Sequence, residues 1–170
     1  MNNSFCHNRN FSIYLYIVAA IIFTGCFNSQ STSGDAALTK KTDSLLTILN
    51  HSNNKNIQLT GLNNILIIPI DAGCESCIKK SLEFAIQKQD PAYLSIITSS
   101  TPKVFLQKLS LYFNNQLPET GNKNILIDST NLCFLTGLSD IMPRLYEVRN
   151  EMITNNVSID ASNIDKELHK

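Results

Sequence analysis

The sequence predicts an α/β fold built on a central sheet, and three observations predict it. Residues 65–70 (ILIIPI) and 93–98 (YLSIIT) are almost continuously apolar, the pattern of strands buried on both faces. Each run is followed by a stretch whose apolar residues recur at helical spacing. From residue 124 the chain then reads as strand, short helical turn, strand, turn and strand. The order β-α-β-α-β-α-β-β is that of an α/β domain.

The elements follow in order. Residues 37–50 suggest a short amphipathic helix with Leu45, Ile48 and Leu49 on one side. A polar loop (51–56) leads to the first strand, 65–70, in which Pro69 marks the point where pairing stops. A helix over about 75–89 carries Ile78, Leu82, Ala85 and Ile86 on one face, and Asp90-Pro91 ends it. The second strand is 93–98. Ser100-Thr101-Pro102 reads as a helix start, with a hydroxyl cap and Pro in the first turn. That helix runs to Phe113 and places Phe105, Leu109, Tyr112 and Phe113 together. A loop (114–123) precedes the third strand, 124–128, and residues 131–138 form a short helical turn. Pro143 opens a fourth strand, 144–148; Arg149-Asn150 turns the chain; residue 151 begins a fifth. Tyr93, Tyr112 and Tyr146 read as residues at the edge of the core.

At 170 residues the chain has room for one ordinary domain with its own core. Fourteen Lys and Arg balance fourteen Asp and Glu, which leaves no electrostatic footprint for nucleic acid and no polybasic membrane patch. The first ten residues are polar with one firm positive charge, Arg9, and residues 11–23 are almost wholly apolar. This is the layout of a secretory signal, and it falls short of the about 20 residues of a membrane-spanning helix. Phe23-Thr24-Gly25-Cys26 resembles the lipobox of bacterial lipoproteins, with Phe where Leu is commonest. That resemblance implies cleavage before Cys26 and acylation of Cys26, an anchor firmer than a single acyl chain. Residues 27–36 are small and polar and read as a tether. The expected division is a signal peptide (1–25), a lipidated Cys and tether (26–42) and a folded domain (43–170). Beyond a bacterial inner membrane the compartment is oxidising, so Cys74, Cys77 and Cys133 are read against disulfide chemistry.

Cys74-Glu75-Ser76-Cys77 is a C-x-x-C at the exit of a buried strand and the first turn of a helix. A helix amino terminus carries partial positive charge and unpaired N–H groups, and both stabilise a thiolate. The two-residue gap lets the second thiol attack a mixed disulfide formed at the first. With residues 124–153 as a second anchor, residues 60–160 resemble the thioredoxin fold, and specifically the membrane-tethered TlpA-type thioredoxin-like proteins. The resemblance implies a central mixed β-sheet flanked by helices. It implies Cys74 as attacking thiol and Cys77 as resolving thiol. Asp128 would end a strand, Gly137-Leu138 would close a short helix, and Met142-Pro143 would be a cis-Pro pair shaping the substrate groove. The implied partners are a disulfide-bearing protein substrate and a thiol–disulfide recycling partner. No cofactor and no metal is implied, and the location is a bacterial membrane, inner or outer, facing the periplasm.

Three departures from the family pattern matter. Gly73 stands where an aromatic Trp is usual, Ile68 where thioredoxins bury an acid, and Glu75 places a negative charge inside the motif. Together they lead us to expect a slow, reducing couple. Two other readings stay open. The cysteines can form a static staple in a binding lipoprotein, or two thiolates can carry a soft metal such as Cu(I). His7, His51 and His169 lie outside the matching region, no second Cys/His cluster exists for zinc, and Asp71 replaces the Thr of a peroxidase motif. Cys133 reads as a small buried hydrophobe, with a third redox thiol or a dimer crosslink as the sharper alternative. Lys79 and Lys80 read as a solvated helix face, and Asp71 as a turn residue or, if aimed at Cys77, a proton relay.

Overall fold

The computed structural model describes residues 33–51, 57–113 and 124–169. The expected signal segment, Cys26, residues 52–56 of the expected loop at 51–56, and the expected loop at 114–123 lie outside the described residues, while His51 is the last residue of a helix. Residue contacts divide the chain into Met1–Asp35 and Ala36–Lys170, and the sheet lies in the second unit.

β1 (Asn64–Pro69) is the central strand. Leu66 and Ile68 pack in one apolar cluster, Ile65 and Ile67 in another, and all four are fully buried. This two-sided burial is why the run shows no polar alternation. β2 (Tyr93–Thr98) pairs parallel with β1, and β3 (Ile125–Asp128) pairs parallel with β2. On the other side of β1 lies β4 (Arg144–Arg149), antiparallel, followed by β5 (Met152–Ser158), also antiparallel. The order β3-β2-β1-β4-β5 makes a five-stranded mixed sheet, in keeping with the expected α/β class. β1 stays paired with β2 through Ile70, whose N–H donates to Thr98, but its pairing with β4 ends at Ile67. Strand alternation turns the missing N–H of Pro69 toward the β4 side, beyond that end, where no ladder bond is lost. The hairpin between β4 and β5 turns through Asn150 and Glu151, both at positive φ (51° and 64°), the geometry of a two-residue hairpin loop.

Helices cover both faces. α1 (Ser33–His51) buries Leu45, Ile48 and Leu49 in the cluster that contains Ile65 and Ile67. It starts earlier than the sequence suggests, so residues 33–42 of the expected tether are helical. The reason is tertiary: the helix is held by its packed face more than by propensity. Thr42, inside that segment, is buried; its hydroxyl donates to the Leu38 carbonyl and accepts the N–H of Ile153, at 3.0 Å each. On the opposite face lie α2 (Glu75–Gln87), α3 (Pro102–Tyr112) and an additional helix at the end of the chain. α4 (Leu132–Leu135) is the expected short turn, and the additional helix, α5 (Ile164–Leu168), was not expected. Ile86, expected in the core, is exposed instead. Tyr146, expected at the core edge, is fully buried and donates its hydroxyl to the Leu138 carbonyl at 2.5 Å. Among the described residues no helix is long and apolar enough to cross a membrane.

Candidate redox site

β1 runs into a short loop, Ile70–Gly73, and Cys74 is the N-cap of α2. Cys74 and Cys77 are joined by a disulfide, with Cα atoms 5.2 Å apart. The two sulfurs sit in unequal surroundings. Cys77 is buried among Ile68, Ile70 and Ile78, whereas Cys74 is only half-buried at the margin of that cluster. The Cys74 sulfur accepts the backbone N–H of Cys77 at 3.3 Å, and it lies 3.2 Å from the Ser76 hydroxyl. A disulfide sulfur carries no proton, so Ser76 is the donor in that contact. Hydrogen bonds of this kind become stronger when the acceptor is charged, so both donors favour a thiolate at Cys74 after reduction. Ser76 is a contributor that the sequence reading passed over; its place inside the motif, in the first helical turn, was the available signal.

Two carboxylates fix the frame around the pair. Asp71 accepts the N–H and hydroxyl of Ser100 at 2.8 Å each and the N–H of Thr101 at 3.0 Å. It therefore ties the loop after β1 to the Ser100–Thr101 segment ahead of α3, and these hydrogen bonds go to that segment and not to Cys77. Thr101 stands at the N-cap but makes no side-chain cap bond, contrary to the expected hydroxyl cap; the Val104 N–H donates to its backbone carbonyl at 3.1 Å instead. Asp140 accepts the N–H of Met142 at 3.0 Å through one oxygen and pairs with Arg144 through the other.

The segment before β4 closes the site. Met142 is half-buried and packs at the edge of the Cys77 cluster, as Cys74 does, and Pro143 is buried. The structure therefore gathers Cys74, Cys77 and Met142 around one apolar cluster at the end of β1, with Pro143 next in the chain. The expected cis bond between Met142 and Pro143 is not observed: there is no cis peptide among the described residues. The turn is made instead by the Asp140 side chain bonding two residues on, an Asx turn, which leaves the ordinary trans bond in place. Gly73 has a φ of +87°, and a Cβ there would overlap the carbonyl oxygen of Ile141 and lie 2.9 Å from its carbonyl carbon. The space that a side chain at position 73 would need is filled by the backbone of the 141–142 segment.

Ile68 is fully buried beside Cys77, so no acid lies at that position. Glu75 is exposed, and burial, then the nearby Glu75 charge, raises the pKa of Tyr112. Lys80 forms an exposed ion pair with Asp165 at 3.0 Å, and Lys79 is exposed, in keeping with a solvated helix face. A groove of about 650 Å³ runs from Gly73 between α2 and α3, lined by Ile78, Leu82, Ile86, Leu111 and Tyr112.

Cys133 is fully buried in the other apolar cluster, the one with Ile65 and Ile67, so the sheet stands between it and the disulfide. Burial, then the nearby Asp128 carboxylate, pushes its pKa well above the ordinary thiol range. Among the described residues no group of three or more His, Cys, Asp or Glu could hold a metal ion. No protein-family model, curated protein or solved structure matches the chain.

Proposed function

We propose that the protein is a thiol–disulfide oxidoreductase of thioredoxin-like architecture, acting through Cys74 and Cys77. One observation carries the reading: a half-exposed cysteine at a helix amino terminus is bonded to a buried one three residues on. In the reduced protein the Cys74 thiolate attacks a substrate disulfide. A mixed disulfide forms, and one substrate thiolate leaves and takes up a proton. The Cys77 thiolate then attacks the Cys74 sulfur, releases the second substrate thiol and closes the Cys74–Cys77 disulfide. Two electrons pass to the substrate, and a thiol partner returns the pair to the reduced state. Met142 and Pro143 shape the surface against which the substrate lies. The lipobox-like sequence ending at Cys26 supports a lipid anchor in a bacterial membrane, with the domain facing the periplasm.

The test is a redox titration of the full chain in detergent, with alkylation and mass analysis reporting Cys74 and Cys77. The expected result is a reversible transition near the thioredoxin value of about −270 mV, because Ile68 and Glu75 both work against an oxidising couple. A midpoint near about −120 mV would overturn the reducing assignment. Failure to reduce without unfolding would make the pair a structural staple in a binding lipoprotein.

A further inference from the structure

The bonds around Met142 carry one inference beyond the cysteine pair. Asp140 is half-buried, and its two oxygens serve different partners. Oδ1 accepts the Met142 N–H at 3.0 Å, and Oδ2 accepts Arg144 Nη2. Arg144 in turn donates Nη1 to Asn156 Oδ1 on β5 at 2.7 Å. The two residues that follow Asp140 are those that meet the redox loop. The Ile141 carbonyl fills the space a Cβ on Gly73 would need, and Met142 Sδ lies 3.2 Å from the same point. Apolar burial does not hold Ile141 there, since its side chain is 62% exposed. Pro143 is buried and anchors one end of the segment; the polar tie at Asp140 anchors the other. A carboxylate shared between an N–H and a guanidinium is a charge-assisted, directional joint.

From this geometry we propose that Asp140 is a positioning residue for the disulfide. Its carboxylate, tied to β5 through Arg144 and Asn156, holds Ile141 and Met142 against Gly73 and so sets the path by which a thiol reaches the Cys74 sulfur. The inference rests on Cys74–Cys77 being a redox pair.

The experiment follows reduction of the oxidised full chain in detergent by dithiothreitol, quenched by alkylation and read by mass, with the unfolding midpoint of each sample measured alongside. Asp140→Ala is expected to react about five-fold faster than the wild type, the factor for one lost hydrogen bond. Asp140→Asn keeps an oxygen for the Met142 N–H but turns an amide N–H toward Arg144, and is expected to fall between the wild type and Asp140→Ala. A folded Asp140→Ala that reacts at the wild-type rate overturns the proposal. So does an Asp140→Asn no nearer the wild type than Asp140→Ala. If Asp140→Ala does not fold, Arg144→Met decides: it frees the carboxylate from β5, and a rate unchanged from the wild type overturns the proposal. A wild type that cannot be reduced while folded defeats the redox reading itself. A reducible wild type with indifferent variants defeats only the positioning role.

Discussion

The carbonyl of Ile141 sits where the first carbon of any side chain on Gly73 would have to lie. Gly73 also holds a φ of +87°, which disfavours any residue with a Cβ. Both effects act in the same direction. Gly73→Ala should cost about 2–4 kcal/mol, combining left-handed strain with backbone displacement. Denaturant unfolding of the oxidised protein measures it, and a loss under about 0.5 kcal/mol would show that the 141–142 segment moves aside freely.

Asp128 is buried, and its two oxygens accept five bonds: from the Thr98 hydroxyl, the Thr130 hydroxyl and N–H, and the N–H groups of Leu132 and Cys133. The end of β3, the end of β2 and the start of α4 all meet at this carboxylate. Asp128→Ala leaves several of those donors unpaired and should lower stability by about 3 kcal/mol or more. Asp128→Asn keeps one acceptor and should lose less. Thermal or urea midpoints of the two variants give the order, and equal losses would show that the pattern of acceptors does not matter.

After reduction, Cys74 should alkylate readily while Cys77 and Cys133 stay unmodified in the folded protein. Cys74 is half-buried with two hydrogen-bond donors on its sulfur, whereas the other two are covered. With iodoacetamide near pH 8 the rate at Cys74 should exceed that at Cys133 by about a hundred-fold or more, since only the thiolate reacts. Peptide mapping over time reads each site, and comparable labelling of Cys77 would remove the assigned order of attack.

Stability should fall in alkali. Burial raises the pKa of Cys133 above its ordinary value of 9.0, and raises Tyr93 and Tyr146 above 10.0. The unfolded chain loses these protons first, so folding stability is full below about pH 9 and declines as the pH rises, by up to about 1.4 kcal/mol per unit for each group. Lys41 works the other way: burial, then Arg144, lowers its pKa, so the unfolded chain holds that proton longer. Tyr112, raised by burial and then by the Glu75 charge, joins the first three, so four groups oppose one, and urea midpoints at pH 8 and pH 10.5 should show a net loss. Cys133→Ala should remove the earliest part of the decline.

Much of this arrangement was legible in the residues. Tyr93–Thr98 is found at the expected bounds because a six-residue apolar run between turn residues has few other fates. The Cys74–Cys77 pair was legible because both cysteines lie within four residues. Ile164–Leu168 escaped notice, since two apolar residues in a five-residue helix give no period. The early start of α1 was hidden because Ser33, Gly34 and Asp35 read as linker until Leu38 and Thr42 meet the sheet. Asp140 and Asp71 carried no signal of their roles. Each acts on a loop, and which backbone donor a carboxylate meets depends on how the loop folds. The cis expectation at Pro143 failed for the same reason, because the Asp140 side chain makes the turn.

The bond from the Ile153 N–H to Thr42 also bears on self-association. β5 is an outer strand of the sheet, and outer strands offer free backbone donors on which a second chain can build cross-strand pairs and, in time, fibrils. Here one of those donors is already taken by a side chain from α1. The register also shifts between Glu147 and Val148, so that the hairpin bends and departs from a flat template. Losing the Thr42 hydroxyl would therefore expose a nucleation point as well as weaken a helix contact, and concentrated Thr42→Val protein should turn turbid sooner than the wild type.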